Sequence, residues 1–407
     1  MEKKRVSIVF PTGRKTVSKV ADMLASSLIA NDHIKNYDLQ LIISYDPSFY
    51  GLPKEAFKIR EETRKVFREV VYSGPEDFKN ITAEIEDLVQ DKEATDILFN
   101  PRGYCTQKNR ALFHALKGNA DHILFLDDDE YFVAPYKRSD NTLRWENQDV
   151  FGIHMASQEK ADITNGSHTG YFSPVPSEID LELEERLRER LGRILAIGSE
   201  MITSKTFVNT RDAVRFGSRD FIEGIAYEVE PVNGVKFLTG GNIALNAKSI
   251  REGIIPPYFN PVGARGEDAI LGMQLEKAKV VKVPTYTFHD PFQKYVSITE
   301  GKLPESIDAI KVIPGTIDRF HKACIGWIKY APFLIRMTTN SETDYSIRIE
   351  SMKRELTEIG YQIDNQLKWD GFKNLGPTLE TYHRRSKQDV AELYKAKKAW
   401  SNIVRKL

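Results

Sequence analysis

The sequence has few cysteines, no excess of either charge and no long apolar run. Only Cys105 and Cys324 occur in 407 residues, which excludes a disulfide framework and favours a reducing, cytoplasmic location. Lys plus Arg equals Asp plus Glu at 58 each, so no overall field attracts nucleic acid. No apolar stretch approaches the ~20 residues of a membrane span. The apolar run at residues 6–10 is too short for a secretory signal and is typical of a first strand.

The first 130 residues alternate between apolar runs and helical patterns. Residues 6–10, 39–44 and 123–126 are continuous apolar runs, which suit strands buried on both faces. Apolar residues at helical spacing over 17–28 and 106–116 predict helices between them, and residues 64–72 form a weaker helix or strand. This alternation predicts an α/β fold with a mainly parallel sheet. Ligands of such sheets bind beyond the carboxyl ends of the strands.

The middle of the chain has a looser pattern. Residues 151–155 and 280–291 are expected to be strands, and 235–246 a strand, a Gly-Gly turn and a strand. Residues 165–176 contain many turn formers and predict a loop, in which Asn165, His168 and Tyr171 are candidates for a lid or acceptor wall. A highly charged helix is expected over 178–197.

From about residue 300 onward the pattern is mainly helical. Positions 345, 349, 352, 356, 359 and 363 form a short apolar seam, which fits either helix packing within the chain or a homo-oligomer contact. The last helix is expected to start near Pro377 and becomes basic at its end. Those cations could simply complement the helix C-terminus. Alternatively, the helix lies on a membrane surface, with Trp400, Ile403 and Val404 inserted.

Four consecutive acids, Asp127 to Glu130, follow the strand at 123–126 without a spacer. Carboxylates this close raise each other's pKa unless a cation neutralises them. Mg²⁺ and Mn²⁺ prefer oxygen ligands and share them with phosphates. Asp127 and Asp129 therefore predict a site for a metal and a diphosphate, and a solvated turn is the alternative.

Three other functions remain open on the residues alone. A phosphatase of the haloacid dehalogenase type also has Asp-x-Asp after a strand, but nearer the N-terminus and with a smaller residue where Tyr131 stands. A sugar-nucleotide nucleotidyltransferase would use a Gly-rich basic loop after the first strand. Here that loop contains Gly13, Arg14 and Lys15 but only one glycine. The third is a non-catalytic carbohydrate-binding protein.

Five segments, in order, resemble GT-A fold glycosyltransferases, most closely the family 2 type. They are "VSIVFPTGRKT", "LQLIISYDPS", "CTQKNRALFHALKGNADHILFLDDDEYF", "LTGGNIALN" and "GARGEDAILGMQL". The second segment departs from the family, because Tyr45 stands where a second acid is often found before the strand ends at Asp46. The likeness spans roughly residues 5 to 295 and implies a Rossmann-like, mainly parallel sheet flanked by helices.

The resemblance also implies roles for individual residues. Asp268 would be the catalytic base, with Glu267 beside it holding the acceptor. Asp129 would bind the metal directly, Asp127 would hold the ribose or share the metal, and His289 would complete the metal site. The other implied donor-binding residues are Pro11, Thr12, Asp46, Asn109, Arg110 and Asp128, and the implied acceptor-binding residues are Gly240, Gly241 and Asn242.

The expected function is a metal-dependent, inverting glycosyltransferase of the hexosyltransferase type. Its cofactor would be Mn²⁺ or Mg²⁺ and its donor a UDP- or GDP-sugar. The acceptor would be a hydroxyl of a glycan, lipid or small molecule. The expected divisions are a nucleotide-sugar-binding half at 1–130, an acceptor-binding half at 131–300 with an insertion at about 157–220, and a helical region at 301–407.

Overall fold

The computed structural model describes residues 3–89, 91–171, 184–197, 214–232 and 234–407. A mixed, mainly parallel sheet flanked by helices precedes a helical C-terminal region, which confirms the expected fold class. The strands are β1 (Lys4–Thr12), β2 (Tyr37–Tyr45), β3 (Glu69–Ser73), β4 (His122–Phe125), β5 (Glu130–Tyr131), β6 (Val133–Lys137), β7 (Leu143–Asn147), β8 (Ile163–Tyr171), β9 (Val214–Arg215), β10 (Tyr227–Glu228), β11 (Ile243–Asn246) and β12 (Val280–His289). The helices are α1 (Val17–Ala30), α2 (His33–Asn36), α3 (Glu61–Arg64), α4 (Phe78–Val89), α5 (Lys92–Phe99), α6 (Tyr104–Lys117), α7 (Val150–Gln158), α8 (Glu185–Leu195), α9 (Arg219–Ile222), α10 (Ala247–Arg251), α11 (Glu267–Met273), α12 (Pro314–Thr338), α13 (Glu342–Leu367) and α14 (Leu375–Val404).

The strand order places several strand ends at one edge of the sheet. The order is β10-β12-β8-β11-β4-β1-β2-β3, while β6 and β7 form a separate hairpin. Strands β3, β2, β1 and β4 run parallel, and β8 and β12 are parallel to each other. Strand β11 is antiparallel to both β4 and β8, so β8 and β12 point the same way as β4. The carboxyl ends of β1, β2, β4, β8 and β12 therefore share one edge.

The sheet is buried on both faces, as its continuous apolar strands predict. In β1, Val9 packs on one face, whereas Ile8 and Phe10 pack on the other. In β4, Phe125 and Leu124 divide in the same way. Both cysteines are free and buried, one beside the sheet and one among the C-terminal helices.

Two expectations about the middle of the chain are wrong. Residues 151–155 belong to helix α7, whose start is capped by the Asp149 carboxylate accepting from the Gly152 N–H. A short apolar run does not distinguish a buried helix from a strand, which explains the error. Residues 165–171, expected to be a loop, lie in β8 between β11 and β12, because strand pairing outweighs local turn preference. Asn165, His168 and Tyr171 are thus strand residues and not a lid.

The remaining expectations for the middle are met in part. Residues 280–289 form β12 as predicted. Of 235–246, only the second expected strand forms, as β11. The charged helix is present as α8, while residues 172–183 of the expected loop and helix lie outside the described residues, as does much of the expected insertion.

The apolar seam of α13 packs inside this chain. All six seam residues are buried against α8, α12 and the start of α14. Of the two interpretations left open by the sequence, helix packing within the chain accounts for the seam. None of the seam side chains is left for an oligomer contact.

The last helix packs against the sheet domain. Trp400 is 2 % exposed, and Ile403 and Val404 are also buried in the core that contains Phe99 and Phe125. The structure therefore contradicts the expectation that these three side chains enter a membrane. Across the described ranges, no helix combines the length and the apolar character needed to cross a bilayer.

Candidate active site

The acids expected at the site lie beyond the shared carboxyl edge of the sheet. Asp46 follows β2, Asp127 to Asp129 follow β4, and His289 is the last residue of β12. Helix α11 begins with Glu267 and Asp268 and approaches the same edge. The fold thus brings together residues that are far apart in the sequence.

Asp128 and Asp129 share one cation, Arg14, from the loop between β1 and α1. Its Nη1 lies 2.6 Å from Asp128 Oδ1 and 2.7 Å from Asp129 Oδ2. The Thr12 hydroxyl donates to the other oxygen of Asp128. Burial raises the pKa of Asp128 to about 6 despite Arg14. At Asp129 the effect of burial is outweighed, chiefly by Arg14, and the pKa is lowered.

His289 presents a free ring nitrogen to Asp129. Its Nδ1 lies 2.8 Å from the Tyr171 carbonyl oxygen, which can only accept, so Nδ1 carries the proton. Its Nε2 lies 3.9 Å from Asp129 Oδ2. Burial lowers the pKa of His289, which favours the neutral ring that metals bind. Within the described ranges, no three His, Cys, Asp or Glu side chains are grouped to hold a metal by themselves.

Asp127 faces a different direction from Asp128 and Asp129. Tyr104 donates its hydroxyl to Asp127 Oδ1 at 2.5 Å. A Cβ placed on Gly240 would stand 3.7 Å from Asp127 Oδ2 and 3.2 Å from Asp268 Oδ2. Asp127 and Asp268 therefore approach each other across Gly240, where glycine leaves the space between them open. Burial is the largest cause that raises the pKa of Asp127 well above its usual range.

Lys108, on α6, holds the two acids that open α11. Its fully buried Nζ lies 3.1 Å from Glu267 Oε1 and 3.4 Å from Asp268 Oδ1, and it also donates to the Gly240 carbonyl. Burial opposes ionisation of Glu267, but Lys108 outweighs it and lowers the pKa of Glu267 to about 2. Burial and the Glu267 charge raise the pKa of Asp268 to about 7. One acid is thus a fixed carboxylate and the other can exchange a proton near neutral pH.

The expected nucleotide-binding edge is assembled from β1 and β2. Pro11 and Thr12 pair in register with Ser44 and Tyr45. Asp46 is buried, and its carboxylate accepts from the Ser48 N–H at 2.9 Å. These groups lie at the carboxyl ends of the two strands.

Three further expected binding residues, Asn109, Asn242 and Arg110, are buried and form hydrogen bonds within the protein. Asn109 is fully buried and clamps the backbone of Tyr258, accepting from its N–H and donating to its carbonyl. Asn242, at a φ of 51°, donates to the Ser167 carbonyl, and its Oδ1 lies 2.8 Å from His154 Nε2. Arg110 is also buried and donates to the Asn100 carbonyl at 2.7 Å. Asn109 and Asn242 therefore shape the site through the backbone they hold.

Glu130, to which the sequence assigned no role, lies beneath the Gly-Gly turn. A Cβ on Gly241 would be 2.5 Å from Glu130 Oε1 and 2.9 Å from the backbone nitrogen of Asp127. Glu130 Oε1 also lies 2.7 Å from His168 Nε2. Burial raises the pKa of Glu130 to about 8 and lowers that of His168 to about 3, so both are neutral at pH 7. Gly241 thus packs against a neutral pair instead of a fourth charge.

Sequence reasoning missed Tyr104 and Lys108 and gave Arg14 no place in the acidic site. Tyr104 and Lys108 are four residues apart and so share one face of α6. The sequence did offer a signal for these two residues, because an aromatic residue and a lysine lie on the same helix face, next to Asn109 and Arg110. Nothing local to Arg14 indicates that it reaches acids more than a hundred positions away.

Comparisons with known proteins do not assign this chain to a family. No protein family model matches this sequence, and no curated protein matches it. The chain can be superimposed on a crystal structure of S. aureus TarS, residues 1–349, with a TM-score of 0.37 and 9 % sequence identity. The superposition covers 99 % of this chain and 90 % of the TarS chain. A second structure of the same TarS fragment, in complex with UDP-GlcNAc, gives the same score and identity over 94 % and 92 %. Overlaps at this score support no conclusion about this chain.

Proposed function

We propose that this protein is a glycosyltransferase that moves a sugar from a nucleoside-diphosphate donor to a hydroxyl acceptor. The observation that carries the proposal is the approach of Asp127 and Asp268 across Gly240. One of these acids belongs to the cluster suited to a diphosphate and cation, and the other is a carboxyl with a pKa of about 7. A transfer reaction needs both groups at one place, one for the leaving group and one for the attacking hydroxyl.

Asp268 is the proposed base. It is about a quarter exposed, whereas Glu267 is buried in its ion pair with Lys108. A base with a pKa near the working pH accepts a proton from a hydroxyl efficiently. The acceptor oxygen would then attack the anomeric carbon as the bond to the diphosphate breaks. A base on the acceptor side supports inversion of configuration.

We propose that a divalent metal is held by Asp129 and His289. The donor set is one carboxylate oxygen and one imidazole nitrogen, and the His289 proton is held on the opposite side of the ring by Tyr171. Mn²⁺ accepts both ligand types, and Mg²⁺ or Mn²⁺ is commonly bound through few protein ligands together with phosphates and water. When bound, such an ion offsets the charge that develops on the leaving diphosphate. Asp127 is the proposed partner of the sugar or ribose, and Asp128 holds Arg14.

The proposed donor is a UDP- or GDP-hexose. Its base would lie along the edge formed by Pro11, Thr12 and Asp46, where a carboxylate can accept from a nucleobase N–H. Arg110 lies close enough to Asp46 for their charges to interact. The acceptor would approach from the side of Gly240, Gly241 and Glu267. The proposed acceptor is a hydroxyl group of a glycan, a lipid or a small molecule.

The test is a panel of nucleotide-sugars with Mn²⁺ or Mg²⁺, read by release of the nucleoside diphosphate. Hydrolysis or transfer of one donor, abolished by a chelator, is the expected result. A parallel reaction with a nucleoside triphosphate and a sugar phosphate tests for pyrophosphate, which would indicate a nucleotidyltransferase instead. Donor binding without turnover, shown by a rise in the unfolding temperature alone, would contradict the enzyme proposal and indicate a binding protein.

A further inference from the structure

Arg14 occupies the position between Asp128 and Asp129 where a cation is needed. The same nitrogen, Nη1, contacts an oxygen of each acid, at 2.6 and 2.7 Å. Two adjacent buried carboxylates are costly without a counter-charge. Arg14 supplies that charge from within the chain.

Arg14 contacts these two acids through only one nitrogen of its guanidinium, Nη1. The side chain reaches the acids from a short loop and is 19 % exposed. Its Nε is buried and has no hydrogen-bond partner within the described part of the chain. A guanidinium that pairs through a fork gains two parallel bonds to one carboxylate, which this arrangement lacks. A buried N–H group without a hydrogen-bond partner is unfavourable in free energy, so the unpartnered Nε destabilises this position of the Arg14 side chain. Arg14 therefore contacts the acids through one nitrogen, with a further hydrogen bond to Tyr50, and makes no bidentate fork with either carboxylate.

A second arginine lies close by, on the first helix of the C-terminal region. Arg319, on α12, stacks on the Phe292 ring at 4.4 Å. Burial and the charge of Arg14 lower the pKa of Arg319, while Asp129 raises it. Asp129 thus interacts electrostatically with Arg319 as well as with Arg14, which contacts it directly. An arriving anion would relieve their repulsion, and a diphosphate has the charge and the oxygen acceptors to bind both.

We propose that Arg14 is a tethered counter-cation that competes with the divalent metal for Asp129, and that a nucleoside diphosphate draws it away. The proposal rests on the proposed function, because it takes the donor to be a nucleoside diphosphate. Metal binding then depends on the nucleotide: without it, Arg14 covers the acids, and with it, Arg14 pairs with phosphate and exposes Asp129. The coupling is reciprocal, so the metal also strengthens nucleotide binding.

The experiment measures Mn²⁺ affinity directly, by the electron paramagnetic resonance signal of free Mn²⁺, without any substrate turnover. The proteins are the wild type, Arg14→Gln and Arg14→Lys, with Lys15→Gln as the matched control. Lys15 is the exposed neighbour in the same loop, so its loss removes the same charge without freeing the acids. Each protein is titrated alone and then with UDP or GDP.

Without nucleotide, Arg14→Gln is expected to bind Mn²⁺ at least about tenfold more tightly than the wild type, within the usual range of coupling. Lys15→Gln and Arg14→Lys should resemble the wild type, since both keep a cation at the acids. Adding UDP or GDP should improve Mn²⁺ binding strongly in the wild type and less in Arg14→Gln. If Arg14→Gln does not fold, Arg14→Ala is measured in its place.

Equal Mn²⁺ affinities of the wild type and Arg14→Gln, including no measurable binding by either, overturn the proposal. Equal enhancement by nucleotide in both proteins overturns it as well. Failure of the proposed function has a different signature. In that case no nucleotide-sugar of the donor panel is hydrolysed or transferred, whatever the metal affinities are.

Discussion

Lys108 Nζ lies 3.4 Å from Asp268 Oδ1 although the two residues are 160 positions apart. The same ammonium lies 3.1 Å from Glu267 and beside the rings of Tyr104 and Tyr258. Burial would favour the neutral amine, but the two carboxylates keep the pKa of Lys108 well above its usual value. One lysine thus sets the protonation of both acids that open α11.

Replacing Asp268 by Asn removes the proposed base and leaves the shape of the site. We expect kcat for sugar transfer to fall by about 10²–10⁴-fold, the usual contribution of a general base, while nucleotide affinity changes little. The measurement is initial rates with the active donor, together with nucleotide binding. Asp96→Asn, at an exposed position in α5, is the control. An Asp268→Asn enzyme with wild-type kcat would show that the base is another group.

The rate of the wild type should rise with pH and level off above about pH 7. The reason is that the reactive form of Asp268 is the carboxylate, and its pKa is raised to about 7. Since Lys108 lowers that pKa, Lys108→Met should move the rising part of the profile to higher pH. The activity lost at pH 7 should then return in part in alkaline buffer.

The control for that profile is Lys117→Met on the same helix, whose lysine pairs with Glu84 at the surface. Its profile of kcat/KM against pH should match the wild type. A Lys108→Met profile with the same midpoint as the wild type would contradict the proposed link between Lys108 and Asp268.

Gly241→Ala should impair catalysis through contact with the acids. The added methyl would meet Glu130 Oε1 at 2.5 Å and the Asp127 backbone nitrogen at 2.9 Å, and backbone yields less readily than a side-chain tip. Displacing Asp127 by a fraction of an ångström to about 1 Å can cost up to about 10²-fold in rate. Gly326→Ala is the matched control, because nothing lies within 4 Å of that methyl and the site is helical. We expect it to raise stability by about 0.5–1 kcal/mol with unchanged rates.

Trp400→Ala should destabilise the protein by about 3–5 kcal/mol, as expected for removing a large buried aromatic side chain. Trp400 packs near Phe99, with ring centroids 6.2 Å apart. The thermal unfolding midpoint is the readout, and Tyr394→Ala on the exposed face of the same helix is the control. A midpoint unchanged in Trp400→Ala, with a loss of binding to lipid vesicles, would restore the membrane interpretation of this helix.

Much of the fold could be predicted from residues 3–132. The strands β1, β2 and β4 are continuous apolar runs, and such runs are buried on both faces wherever helices cover a parallel sheet. The errors lie where local composition and pairing disagree. Asn165 and Gly166 are turn formers, yet β8 runs between two other strands, so ladder hydrogen bonds decide its conformation.

The sequence alone determined that four acids follow a buried strand and that two more open a helix far along the chain, because these are local patterns of charge and apolar residues. Only the tertiary structure decided which of these acids lie together and which partner each one faces. It directs Asp128 and Asp129 towards Arg14, and Asp127 and Asp268 towards Gly240. It also placed Lys108 between Glu267 and Asp268. The physical reason is that pKa values and ion pairs depend on distance and burial in three dimensions, and neither is encoded in the order of neighbouring residues.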